Sequence, residues 1–206
     1  MTSASTPRSG KPRGRPPLGR DRIINAAYDL FLKHGVRATG IDAIIVAADI
    51  ARMTFYRNFA SKDELVRIVL QEHERRWTEE WLKKETLRRF TSPKDRLLGM
   101  FDLFHEWFQR RRFEGCLFIR TLIESPPAST THRAAARHLA NVRDFIEGLA
   151  KDAGIKDAPD FAGAWQVLLE GAIVAALAGS RAAARLAKPA AAALLASTSR
   201  RTARAS

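Results

Sequence analysis

Residues 39–65 read TGIDAIIVAADIARMTFYRNFASKDEL, and the spacing inside this stretch sets the architecture. Thr39-Gly40-Ile41-Asp42 has the form of a capping box, a hydroxyl followed three residues later by a carboxylate, and predicts a helix start. Ile41, Ile44, Ile45 and Ala48 then fill one face at helical spacing. The pattern breaks at Asp49-Ile50-Ala51 and resumes with Phe55 and Phe59, four apart. A second capping box, Ser61-Lys62-Asp63-Glu64, opens another helix through Leu65, Ile68 and Val69. Two short helices joined by a three-residue turn, the second carrying polar side chains between apolar anchors, outline a helix-turn-helix. The competing reading is an ordinary amphipathic hairpin with a solvated face.

Upstream, Ile23, Ile24, Ala27, Leu30 and Phe31 predict a helix over Asp21–His34, with Gly35 placed to end it. Residues 1–19 hold Ser, Thr, Pro, Gly and Arg with almost nothing apolar, and read as a disordered basic arm. Downstream, a helix from Ser61 towards Phe90 stops at Thr91-Ser92-Pro93, and Pro93 suits the first turn of the next one. That helix carries Leu97, Leu98, Phe101, Phe104, His105 and Phe108 and is interrupted at Gly115. A piece from Cys116 to Glu124 follows, then helices near 131–150, 160–178 and 182–197. No stretch has a convincing period of two. The fold class expected is all-α, with an arm over 1–19, a helix-turn-helix domain over 20–66, a helical domain over 67–199 and a basic tail over 200–206.

Of the net charge of +13, residues 1–20 carry +5 with no acid, whereas residues 21–65 balance six basic against six acidic side chains. Basic arms on a neutral body point to a polyanion, either nucleic acid or an anionic membrane surface, though a basic tail also serves solubility alone. A membrane partner is disfavoured, because no apolar run approaches the roughly 18–20 residues of a span and the basic segment lacks an amphipathic aromatic face. The start has no apolar signal region, and the single Cys116 excludes an intrachain disulfide framework, so a cytoplasmic protein is expected. His132 and His138, six apart, do not share a helical face, so no metal is expected. No nucleophile, base and orienter are grouped in a local motif, so neither catalytic residues nor a cofactor are assigned.

The outer face of the second short helix is suited to reading bases. Arg donates bidentately to guanine, Thr and Met meet a thymine methyl, and Tyr and Thr hydroxyls bind phosphate. At these residues the chain resembles the DNA-binding domain of the TetR family of bacterial transcriptional regulators. Ala38-Thr39-Gly40-Ile41-Asp42-Ala43-Ile44 is similar to that family's second helix, Met53-Thr54-Phe55-Tyr56-Arg57-Asn58-Phe59 to its recognition helix, and Ser61-Lys62-Asp63-Glu64-Leu65 to the start of its fourth. The resemblance covers residues 21–70, with a fainter echo in Leu168-Leu169-Glu170-Gly171-Ala172. It implies that Thr39, Tyr56 and Lys62 contact phosphate, that Arg52, Met53 and Thr54 meet bases and backbone, and that Arg57 and Asn58 are adjacent contacts. Asp49 stands where the family commonly has Gly, and Ala51 where a Ser cap is frequent. The turn residue must then adopt a left-handed conformation that Asp tolerates, and the recognition helix is capped either weakly or with help from Asp49.

Pro12-Arg13-Gly14-Arg15-Pro16 in the arm has the form of an AT-hook core, with Arg13 and Arg15 extending along an A·T minor groove; the plain alternative is a basic leader. In the C-terminal half, Phe104, Trp107, Phe108, Phe118, Phe145 and Trp165 are the candidates for an effector pocket, against the alternative that each is simply core. Cys116, among Leu117, Phe118 and Ile119, is expected to be buried and inert. Ala-rich residues 172–196 allow close packing across a two-fold axis. The function implied is a homodimeric regulator on double-stranded DNA, a repressor released from a palindromic operator by a small-molecule effector. The alternative is an architectural protein binding A·T-rich DNA through its arm.

Overall fold

In a computed structural model the chain is described over residues 19–204, with side chains through Thr198. Residues 1–18 of the expected arm, including Arg13 and Arg15, lie outside the described residues, and its last residue, Gly19, opens the first helix. The first helix, α1 (Gly19–His34), buries Ile23, Ala27 and Phe31 at a four-residue spacing and ends at Gly35, whose φ of +86° only glycine adopts without strain. Helices α2 (Ile41–Ala48) and α3 (Arg52–Asn58) pack on it through Ile44, Ala48, Phe55 and Phe59.

A long rod follows, made of α4 (Lys62–His73), a π-helical segment (Glu74–Lys83) and α5 (Lys84–Arg89). Ser61 caps it by accepting from the Glu64 backbone N–H at 3.1 Å, while the Glu64 side chain reaches back one residue beyond the cap and accepts from the Ala60 N–H at 2.7 Å, a shifted form of the expected capping box. The remaining helices are α6 (Pro93–Phe108), α7 (Leu117–Glu124), α8 (Thr130–Asp152), α9 (Ala158–Leu177) and α10 (Ala183–Arg204). Among the described residues there is no strand, and the all-α expectation holds.

Some boundaries differ from expectation. Pro93 opens α6 behind a Ser92 cap as foreseen, but the helix stops at Phe108 rather than near Gly115. Its free C-terminal end is held by the α9–α10 loop, where Arg181 donates to Phe108 O at 2.6 Å. The last helix continues to Arg204, beyond the expected domain end at 199. By length and composition α9 could cross a membrane, unlike any segment picked out by inspection of the sequence; Phe161, Trp165, Leu169 and Ile173 nonetheless bury one side of it in the bundle. The buried residues form one continuous cluster from Ile23 to Leu195, so the N-terminal helices share a core with the bundle.

Candidate nucleic-acid interface and inner cavity

The turn between α2 and α3 is built around Asp49, at φ 51° and ψ 59°. Asp49 N–H donates to Val46 O at 3.1 Å and Ile50 N–H to Ile45 O at 3.3 Å, the paired bonds of a Schellman motif. A left-handed Asp was expected here. Arg22 of α1 adds a brace, donating through Nη2 to Asp49 O at 2.6 Å and Oδ2 at 2.8 Å. That carboxylate is therefore engaged away from α3, whose N-cap Ala51 supplies no side-chain bond. Of the two alternatives for capping α3, the weakly capped one is found.

On α3, Arg52, Met53, Tyr56 and Arg57 are exposed, while Phe55 and Phe59 face the core. Arg52 is paired with Asp42 of α2. Thr54 is half-buried where α1 begins: a Cβ on Gly19 would lie 3.1 Å from its methyl. Asn58 is also half-buried and donates through Nδ2 to Thr54 O at 2.7 Å. Thr39 does not cap α2: its side chain is buried and its hydroxyl donates to Gly35 O at 2.6 Å, while Gly40 takes the cap position. The first capping box is thus not formed, because the carbonyl left free at the end of α1 captures the hydroxyl. Lys62 sits half-buried in the first turn of α4, where burial lowers its ammonium pKa against the opposing pull of Asp63 and Glu124. Val46 on α2 is 79% exposed, an apolar side chain beside the recognition helix that helical periodicity did not single out.

The end of α1 and the loop after it are tied to the bundle by α7. Arg120 Nη1 donates to Leu32 O at 2.6 Å, and Glu124 Oε2 accepts from the Arg37 backbone N–H at 2.8 Å. The Glu124 carboxylate also fills the space that a side chain at Gly35 would need. A groove of about 540 Å³ runs along this junction between Arg37, Lys62, Glu124 and Pro126.

The other end of α7 reaches an inner cavity. Trp77, Phe104, Cys116, Phe118, Ile119, Leu139, Val142, Gln166, Leu169, Glu170 and Ile173 line it, and its volume of about 20 Å³ admits roughly one water. Phe104 and Phe118 were candidates from sequence. Trp107 and Phe108 instead pack on Phe113, each with centroids 5.0 Å apart; Trp165 stacks on Phe161 at 5.0 Å; Phe145 lies under the Lys83 ammonium. Cys116 is buried, and burial pushes its thiol up to about 11, so it stays protonated and inert as expected. Beside the cavity, buried His73 accepts from or donates to the Tyr28 hydroxyl of α1 at 2.9 Å, and burial holds its pKa down at about 3.

Comparison with known proteins bears on this geometry. Residues 23–69 match the sequence model described as bacterial regulatory proteins, tetR family. The chain is 27% identical to the HTH-type transcriptional regulator QacR of Staphylococcus aureus over 89 residues, 43% of this chain and 47% of that protein. It is 29% identical over 131 residues to the regulator UidR of Escherichia coli, 63% of this chain and 52% of that one. With the E. coli transcriptional repressor ComR it shares 30% over 105 residues, 50% and 48% of the two chains. The chain thus spans about half the length of the curated relatives it matches. Among solved structures, a TetR-family regulator from Streptomyces coelicolor superposes with a TM-score of 0.80 at 22% identity, over 88% of this chain and 96% of that one. One from Cytophaga hutchinsonii gives 0.74 at 18%, over 87% and 94%. These likenesses carry the whole fold and not only its N-terminal helices.

Proposed function

From the premise that the chain belongs to the TetR family of bacterial regulators, we propose that it is a homodimeric repressor which reads a palindromic operator through α3 and leaves it when a small molecule occupies the bundle. The observation that carries this reading is the exposed row Arg52, Met53, Tyr56 and Arg57 on a helix fixed by a Schellman turn and two phenylalanine anchors. Arg52 and Met53 address base edges, and Tyr56, Arg57 and Lys62 the phosphates. Thr39, with its hydroxyl turned inward, is left with its backbone for any phosphate contact, and Asn58 and Thr54 support the helix from within.

Dimerisation is assigned to the outer faces of α9 and α10. Val167, Val174 and Leu186 are 68%, 55% and 71% exposed, and the small residues Ala164, Gly171 and Ala178 lie between or beside the two valines. An apolar stripe of this kind suits a two-fold four-helix contact. Two copies would place the α3 helices about 34–36 Å apart, one turn of DNA. Arg13 and Arg15 in the arm would add minor-groove and phosphate contacts.

The test is selection of bound fragments from a random double-stranded DNA library at physiological salt, with the full chain and a variant lacking residues 1–19. A palindrome recovered by both supports the reading. Enrichment of A·T-rich sequence alone, lost with the arm, would overturn it in favour of an architectural protein.

A further inference from the structure

An outer groove of about 420 Å³ runs along the seam of α8 and α9, bordered by Val167 at the edge of the proposed dimer face, and it meets the inner cavity at Leu139, Gln166 and Glu170, which line both. Inward of this junction the walls are aliphatic and aromatic apart from the Cys116 thiol. Into that setting the chain places one carboxylate. Glu170 Oε1 accepts from Gln166 Nε2 at 2.8 Å, and the same Nε2 donates to Leu139 O at 3.1 Å, so the amide fixes the carboxylate between the two compartments. Among the described residues no Lys or Arg forms an ion pair with Glu170. Arg143 lines the outer groove alone and is exposed.

We propose that this junction binds an amphipathic monocation, a protonated or quaternary amine on an aromatic or branched-alkyl body, with its charge on Glu170 and its apolar part towards Trp77, Phe104 and Phe118. The inference rests on the effector reading above and gives that effector its chemistry. A half-buried carboxylate without a basic partner in an apolar wall is costly to ionise, and its partial burial raises the Glu170 pKa accordingly. A ligand cation removes that cost, and the negative faces of nearby rings add to the attraction. An anion would be repelled at short range in a medium that screens poorly, and a neutral ligand would leave the carboxylate desolvated. The inner cavity is too small for a ring as it stands, so the apolar body occupies the outer groove and enters the inner one by displacing side chains.

The experiment is calorimetric titration of the full chain with three probes of one shape: benzyltrimethylammonium, its neutral carbon isostere neopentylbenzene, and benzylsulfonate. The wild type is expected to prefer the cation by at least about tenfold. Glu170→Gln should erase that preference, and Glu170→Asp should keep part of it. The comparison among probes on the wild type needs no variant, so a folding defect in either does not spoil it. Equal binding of cation and isostere, or no binding of any probe at millimolar concentration, would overturn the site. The same titrations repeated with the selected operator present separate the two readings. Glu170-dependent binding that leaves operator affinity unchanged removes the effector role and keeps the site. Operator release by the neutral or anionic probe, undiminished in Glu170→Gln, keeps the effector role and removes the cation site.

Discussion

Replacing Glu124 by Ala removes the acceptor with which α7 holds the loop after α1. The lost bond is charge-assisted, from the Arg37 N–H to a carboxylate at 2.8 Å, and such bonds contribute about 1.5–3 kcal/mol. Arg37 is exposed, so water can rehydrate its N–H, and the lower end applies. The Arg120–Glu124 pair, at 3.9 Å and with both side chains a quarter to a third exposed, adds little. The expected loss is therefore about 1.5 kcal/mol, or roughly 3–6 °C in Tm for a chain of this size. Gly35→Ala should cost more, because it combines about 1–2 kcal/mol of left-handed strain with eviction of the same carboxylate. In the double variant the eviction has nothing left to remove. A double-mutant cycle by chemical denaturation should then return a coupling of about 1.5 kcal/mol, and amide exchange at Arg37 should quicken in each variant. Strict additivity, or unchanged exchange at Arg37, would refute the account of α7 as the clasp on the N-terminal helices.

Three further outcomes are expected. Removing residues 1–19 should flatten the dependence of operator affinity on salt, since residues 21–65 are net neutral and the arm carries +5; titrations across a salt series would show a smaller slope. Arg57→Ala should weaken operator binding and lower that slope by about one, while Asp42→Asn, which frees Arg52 from its partner, should strengthen binding; fluorescence anisotropy at several salt concentrations separates the two effects. His73 has a folded pKa of about 3 against an unperturbed 6.5, so below pH 6.5 the unfolded state binds the extra proton and stability falls with acidification. Between pH 7.5 and 5.5 that loss is about 1.4 kcal/mol from this group, and denaturation of His73→Gln should show it removed, whereas an unaltered pH slope would mean that the ring is not buried neutral.

What the sequence made legible was local. Helices α2, α3 and α4 follow from apolar spacing within a few residues, and the left-handed Asp49 from the side chain's own tolerance. What it hid depends on partners far along the chain. Thr39 looked like a cap because Asp42 stands three residues on, yet the carbonyl of Gly35 at the end of α1 outcompetes the α2 amides for its hydroxyl. The brace on Asp49 comes from Arg22, 27 residues earlier, and no periodicity connects the two. The π segment, too, left no mark: Trp77 and Trp81 recur at a spacing equally at home in an α-helix.

The cavity was least legible, for a physical reason. Its walls come from the π segment, α6, the start of α7, α8 and α9, so no single helix face contains it, and a Trp or Phe looks the same in sequence whether it fills the core or borders a void. Phe104 and Phe118 line it while Trp165 of α9 does not, although all three are almost fully buried. The more telling signal was polar. Glu170 and Gln166 sit on α9 among Trp165, Leu169 and Ile173, and a carboxylate on a helix otherwise so apolar calls for a cation, whereas among the described residues it is met by the Gln166 amide and by no Lys or Arg ion pair. On another wall of the same cavity α7 places Phe118 and Ile119, and its following residues put Arg120 and Glu124 on the clasp. The continuous core from Ile23 to Leu195 runs through α4, which packs on both α1 and α8, while the element that borders the cavity is hydrogen-bonded to Leu32 and Arg37, so a change in the cavity wall and a change in how the end of α1 and the loop after it are held involve one short helix.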